Sequence, residues 1–291
     1  MPIIETDLMR RTVKRTLAVH PESALIVWTG VTRLGKTTTA RWLVQAIEEA
    51  YAPEVEGAFR AVHYEVGRIP QWFSDAGKRA LRSAYHASIG TLDEGLFRRS
   101  PSEDLARLLT RGLQRKHVQM LLVDEAGLLP MEAIRGLVLL RDVALLEGHC
   151  LSIVLIGMDD LPVLLGTCPQ VKGRILEWCY FAPYNLRETW DLLAALHPHF
   201  ASLDRKRPDH KAQVDFLHKT YGGVPGLLVP FLRKLDSRLS TLQGEVDLQL
   251  LMAIHLLTQR DHERAVRSKG GDEQEEAARE VQTPTKRGRR K

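Results

Sequence analysis

Residues 24–49, ALIVWTGVTRLGKTTTARWLVQAIEE, restrict this chain more than any other stretch. The apolar run at 24–29 reads as a short buried strand. The loop after it satisfies GxxxxGK[ST] with Gly30, Gly35, Lys36 and Thr37. From Thr38 to about Glu49, apolar side chains recur at Ala40, Leu43, Val44 and Ile47, on one helical face. Strand, glycine loop and helix in that order predict a phosphate cradle. Glycines let the loop wrap so that its backbone N–H groups point inward, and the helix N-terminus adds partial positive charge. The expected nucleotide-binding stretch is Gly30, Val31, Thr32, Arg33, Leu34, Gly35, Lys36, Thr37 and Thr38. Within it Lys36 is placed to neutralise the β- and γ-phosphates of ATP and the Thr37 hydroxyl to ligate Mg2+.

A phosphate cradle alone does not hydrolyse anything. HVQMLLVDEAG, 117–127, is a continuous apolar run ending in two acids, as expected of a central parallel strand buried on both faces. At its carboxyl end Asp124 would hold Mg2+ through water, and Glu125 would polarise the water that attacks in line. An extra glutamate beside the magnesium aspartate, and a strand between the two motif strands in space, mark the phosphate-loop ATPases that hydrolyse with a carboxylate base.

RAVHYEV, 60–66, and LSIVLIGM, 151–158, read as additional strands, and EWCYFAPYNL, 177–186, as a last one. Helical stretches alternate with them. SPSEDLARLLTRGLQ opens with Ser100, Pro101 and Glu103 in capping-box spacing, and PMEAIRGLVLLRDVALLEG is a helix stopped by Gly148. Such alternation predicts a three-layer α/β domain with a parallel sheet. After about Leu186 only helical periods remain. The expected organisation is therefore an N-terminal helical segment, 1–22; a nucleotide-binding α/β domain, 23–185; a small all-helical lid, 186–258; and a tail, 259–291, too polar to order itself.

Composition narrows the class. No apolar run approaches the roughly 18 to 20 residues needed to cross a bilayer, and the opening MPIIETDLMRRTVKR shows no signal-peptide core. A cytoplasmic protein without a membrane partner is expected. Cys150, Cys168 and Cys179 have neither CxxC spacing nor a nearby histidine pair, so they read as buried thiols. The formal charge of +5 is mild but uneven, with KRGRRK closing the chain. That suggests a polyanionic partner.

In order, GVTRLGKTT, LLVDEAG, SIVLIGMDDL, VKGRI and GGVPG resemble the AAA+ ATPases of bacterial transposition, the TniB/TnsC group, and more broadly the ExeA-like AAA family. The resemblance covers about residues 20–240. It implies a homo-oligomer, ring or helical filament, in which a neighbour's arginine completes each ATP site. Arg174, in CPQVKGRILEW, matches that position; Lys172 is a second choice, and the alternative for Arg174 is a surface arginine or one paired with Glu177. Where the family often has a polar residue after the glycine of the fourth strand, this chain has Met158 and then Asp159. Thioether sulfur is a poor ligand for water or phosphate, so either Asp159 takes the role or sensing is weak. GGVPGLL resembles the turn that sets a lid helix over the nucleotide. Its nearest arginine is Arg233, about two helical turns on.

The resemblance further implies polymerisation on double-stranded DNA and recruitment of a transposase, with a target-selection protein or guide-RNA complex as a further partner. Candidate phosphate contacts are Lys78, Arg79 and Arg82, within about one helical turn, with Arg98 and Arg99 in the following loop. No sequence-reading motif stands out. Trp28, Trp72, Trp178 and Trp190 are scattered and fit core or interface better than base stacking. The competing function is an ExeA-like or signalling ATPase that acts on proteins and never touches DNA. A small-molecule kinase would require a substrate pocket that no motif marks.

Overall fold

The strand β1 (Leu25–Thr29) is buried at all five positions, which requires both faces of its sheet to be covered. In the computed structural model, which describes residues 4–50, 59–66, 76–90, 101–239 and 246–260, that requirement is met by a three-layer domain. Alternate side chains leave opposite faces of the sheet. Leu25 and Val27 join Leu121, Val123, Ile153 and Leu155 in one core. Ile26 and Trp28 join Met120, Leu122, Val154 and Ile156 in another. Five parallel strands make the sheet: β1, β2 (Arg60–Glu65), β3 (Val118–Asp124), β4 (Ser152–Ile156) and β5 (Ile175–Tyr180), in the order β2-β3-β4-β1-β5. The strand between the two motif strands is β4. It sits between β1, which carries the glycine loop, and β3, which ends in Asp124.

Helices α1 (Asp7–Val19) and α2 (Lys36–Ala50) supply Val13, Ala40, Leu43 and Ile47 to the second core. Helices α3 (Ala76–Ser88), α4 (Ser102–Arg115) and α5 (Met131–Leu146) fill the first. The Thr6 side chain caps α1 by accepting from the Met9 amide at 3.3 Å, and Trp28 Nε1 donates to Thr16 Oγ1 at 3.0 Å. At one crossing α3 and α5 meet backbone to backbone. A Cβ on Gly136 would lie 2.7 Å from the Gly77 carbonyl oxygen. Two short helices, α6 (Leu161–Gly166) and α7 (Pro169–Lys172), lead into β5.

Several boundaries differ from the sequence expectation. Helix α4 starts at Ser102, with Pro101 in the capping position and no side-chain cap; Ser100 lies outside the described residues. The last strand begins two residues earlier than expected and stops at Tyr180, because the chain turns away before Pro183, which has no N–H to give a sheet. Cys168 and Cys179 are buried, but Cys150 is only half-buried. Trp28 and Trp190 are buried and Trp178 partly so; Trp72 lies outside the described residues, as does the chain beyond 260.

The chain divides into two compact units. The first runs to Glu188 and includes Val224–Gly226; the second holds Thr189–Gly223 and the chain from Leu227 onward. The described part of the second is all helical. It comprises most of α8 (Leu186–Leu196), then α9 (Pro198–Ala201), α10 (Pro208–Tyr221), most of α11 (Pro225–Leu239) and a helical run at 248–260. Phe200, Val214, Leu217, Leu228, Phe231 and Leu235 are its buried centre. His197 faces Asp236 at 3.0 Å, and Gly222 ends α10 in the left-handed region. Among the described residues, no helix is long and apolar enough to cross a membrane.

Candidate functional site

Because all the strands are parallel, their carboxyl ends gather at one edge, where ligands bind in open α/β sheets. Thr29 ends β1 and Gly30 follows it, Asp124 and Glu125 close β3, Gly157 and Met158 follow β4, and Phe181 follows β5. The register holds these ends level: Val123 pairs with Leu155, Trp28 with Ile156, and Thr29 with Tyr180. The glycine-loop motif and the acid pair, far apart in sequence, thus meet at this edge.

The loop itself is shaped by sterics. Gly30 has φ 149°, and a Cβ there would lie 2.3 Å from the Phe181 carbonyl oxygen. Gly35 has φ 90°, and Arg33 sits in the left-handed region at φ 65°. Leu34 is buried in the core and anchors the loop from below. The Lys36 ammonium folds back onto the Gly30 and Val31 carbonyls, at 2.7 and 2.8 Å. Burial lowers the pKa of Lys36 from its ordinary value, opposed by the carboxylates of Asp124, Glu125 and Asp159. Swung off those two carbonyls, the ammonium can meet an anionic phosphate group within a loop too tight for side chains at Gly30.

Asp124 is buried. Burial alone would raise its carboxyl pKa, but hydrogen bonds from His63, from Thr37 and from the Glu125 amide outweigh it and hold the group below the usual carboxylate value. His63 Nε2 lies 3.1 Å from Oδ2, and the Glu125 N–H donates to Oδ1 at 2.9 Å. An ionised carboxylate beside a threonine hydroxyl is the oxygen donor set that suits Mg2+, so Thr37 and Asp124 fit that ion. Glu125 is held in the left-handed region, φ 58° and ψ 33°. Non-glycine residues persist there only where their surroundings enforce it. On the next strand end Met158 and Asp159 are exposed, and the Met158 carbonyl accepts from Thr29 Oγ1.

Two residues beside this edge escaped the sequence reading. His63 is a middle residue of β2, and only the β2–β3 pairing brings it to Asp124. Its place in RAVHYEV, an alternating strand, was the one available signal. Gly226, in GGVPG, donates its N–H to the Arg33 carbonyl at 3.0 Å, and a Cβ there would lie 2.6 Å from Arg33 Cβ. That glycine therefore touches the phosphate loop directly. Arg233 belongs to the second unit.

Arg174 is exposed and precedes β5 at the opposite end from Phe181. Seven residues of extended chain separate it from the Gly30 contact, about 20 Å, beyond the reach of one side chain. It does not pair with Glu177, which binds Arg15; its partner is Asp142, at 3.5 Å. Lys172 is exposed. On α3, Arg79 is exposed, Lys78 and Arg82 are half-buried, and Arg82 Nε lies 3.1 Å from His86 Nε2. Arg98 and Arg99 lie outside the described residues.

Residues 20–165, half of the chain, match the family model of the AAA domain. No curated protein matches the sequence. Among solved structures the chain is similar to the Aeropyrum pernix ORC2 protein in its ADPNP-ADP complexes, with TM-score 0.56 and 16% identity over 85% of this chain and 65% of that one. It is similar to the Aeropyrum pernix ORC1 protein in complex with DNA, with TM-score 0.56 and 19% identity over 89% and 67%. It is also similar to Drosophila ORC bound to DNA, with TM-score 0.61 and 17% identity over 87% and 61%. At such identities the likeness is one of fold. The chain spans less than two thirds of the ORC2 and Drosophila chains.

Proposed function

The chain belongs to the AAA domain family, and on that premise we propose that it is an ATPase that works as an assembly switch of transposition. Its ATP-bound form oligomerises on double-stranded DNA as a ring or filament, recruits a transposase and comes apart on hydrolysis. One observation carries the proposal. The chain gathers a cradle, a carboxylate and a candidate base at one sheet edge, while its best candidate for completing the site stands about 20 Å away at the other end of β5. Such a chain holds one wall of a site and, at its far end, the missing piece of another.

In this reading the loop amides and Lys36 hold the β- and γ-phosphates. Thr37 and Asp124 would hold Mg2+, which would spread the charge of the transferring phosphoryl group. Glu125 orients a water and takes its proton as that oxygen attacks the γ-phosphorus; the bond to the β-phosphate oxygen breaks, leaving ADP and phosphate. His63 keeps Asp124 ionised and aimed. A neighbour's Arg174 steadies the negative charge that develops on the γ-phosphate.

DNA as the platform is supported by the shared fold with ORC proteins solved with DNA, by the exposed Arg79 beside Lys78 and Arg82 on α3, and by the basic KRGRRK. Transposition rests on the order of the five motifs. Gel retardation of a labelled duplex, with and without a non-hydrolysable ATP analogue, tests the DNA step: retardation only with nucleotide is expected, and its absence would contradict the reading. An integrase-type transposase gene beside this one, with capture of its product by the ATP-bound form, tests the partner.

A further inference from the structure

Arg174 is held by two residues of α5 that have no other task in the site. Arg141 is a charged side chain only 11% exposed, and a guanidinium so placed must be paired. Its Nε donates to Asp142 Oδ1 at 3.0 Å, and its Nη1 to the Arg174 carbonyl at 3.5 Å. The second oxygen of Asp142, Oδ2, faces Arg174 Nη2 at 3.5 Å. We propose that Arg141 and Asp142 are positioning residues, which present the Arg174 guanidinium to phosphates held by a second copy of this chain. The proposal rests on the reading of Arg174 as a group acting in trans.

Charge counting separates a positioner from a trap. An arginine whose single carboxylate partner has no other cation is neutralised, and must break that pair before it can meet a phosphate. Here two guanidiniums share one carboxylate, so the cluster keeps a net positive charge, and Asp142 is already satisfied through Oδ1. Arg174 remains 48% exposed, tethered at one nitrogen with its other donors available to a phosphate. The tether also removes beforehand part of the rotamer freedom that an unrestrained arginine would lose on contact.

The surroundings fit a protein partner. Leu145 and Leu146 lie three and four residues after Asp142, on its side of α5, and Leu176 lies just beyond Arg174; all three are exposed, Leu146 at 83%. Exposed apolar side chains around one charged group are what a contact needs to exclude water from it. The nucleotide edge is rimmed in turn by exposed Val31, Leu128 and Met158. A second copy therefore offers apolar surface to apolar surface and phosphate to guanidinium.

Turnover, fluorescent-nucleotide affinity and melting temperature of Asp142→Asn, Asp142→Glu and Arg174→Ala test this, each variant alone and mixed with Lys36→Ala. Arg174→Ala is expected to lose about a thousandfold in turnover. Asp142→Asn should lose about tenfold, with nucleotide affinity within about twofold of the parent and Asp142→Glu recovering most of the rate. Mixing with Lys36→Ala, which has no working cradle but an intact Arg174 assembly, should restore turnover to both defective variants. A purely structural role for Asp142 would not respond to such mixing. If Arg174→Ala alone turns over normally, the trans reading fails and this proposal with it. If Arg174→Ala is slow and rescued, while Asp142→Asn is either normal or slow without rescue, only the positioning role is overturned.

Discussion

Glu125 and Gly30 show how the site is built into backbone conformation as well as side chains. Glu125 occupies φ 58°, a region that costs a non-glycine residue about 1 kcal/mol or more, and the bond from its N–H to Asp124 Oδ1 helps fix it there. Base and metal-ligand candidate are thereby locked to one another. Glu125→Gln keeps that backbone and the volume of the side chain but cannot take a proton. It should retain nucleotide affinity while turnover falls about a hundredfold or more, measured by phosphate release beside equilibrium binding. Lys36→Ala removes the cation proposed to face the phosphates, and titration should show affinity falling about a hundredfold or more. At Gly30 even one methyl is excluded by the Phe181 carbonyl. Gly30→Ala should therefore lower stability by about 2 kcal/mol and weaken nucleotide binding, where a merely permissive turn would tolerate it.

At the scale of elements, the ends of the strands away from the site are fastened by two buried histidines. His20 Nδ1 lies 3.0 Å from Ser152 Oγ at the start of β4, and His149 Nε2 lies 2.8 Å from the Val118 carbonyl at the start of β3. Burial lowers the pKa of both from 6.5. The sign follows from linkage: below 6.5 the unfolded chain takes up protons that the folded chain resists, so their contribution is complete above that value and is lost as pH falls toward the folded pKa. Each histidine can contribute a slope of at most about 1.4 kcal/mol per pH unit. Urea unfolding should show a lower midpoint at pH 5.5 than at 7.5. His149→Gln, which can still donate to Val118, should shrink that difference; an unchanged difference would remove His149 from the account. Neither fastening is visible in a local pattern. The glycine loop, the DE pair and the buried strands were legible because spacing, sterics and hydrophobic period act within a few residues. His63 meets Asp124 across 61 positions, Phe181 limits Gly30, and Asp142 takes Arg174 from Glu177, all through pairings that only the sheet order and helix packing create. For the same reason GGVPG was readable as a turn but not as the segment whose Gly226 N–H holds the phosphate loop at Arg33.

For the whole molecule, the proposed mechanism leaves each chain incomplete. Its α/β unit carries cradle, carboxylate and candidate base at the carboxyl edge of the sheet, and Arg174, paired with Asp142 of α5, at the opposite edge. In the proposed assembly, one copy's far edge and another's near edge make one site. Such a head-to-tail contact repeats, closing a ring or extending a filament according to the rotation per step. Nucleotide should then govern assembly, and DNA should multiply it by aligning copies along phosphates, with an affinity that falls as salt rises. The most direct test is sedimentation velocity of Glu125→Gln with ATP, Mg2+ and duplex DNA, set beside Lys36→Ala under the same conditions. Large DNA-bound species are expected for Glu125→Gln only when nucleotide and duplex are both present, and none for Lys36→Ala. Assemblies of equal size without nucleotide, or a Glu125→Gln chain that stays monomeric on DNA with ATP, would contradict the proposed mechanism.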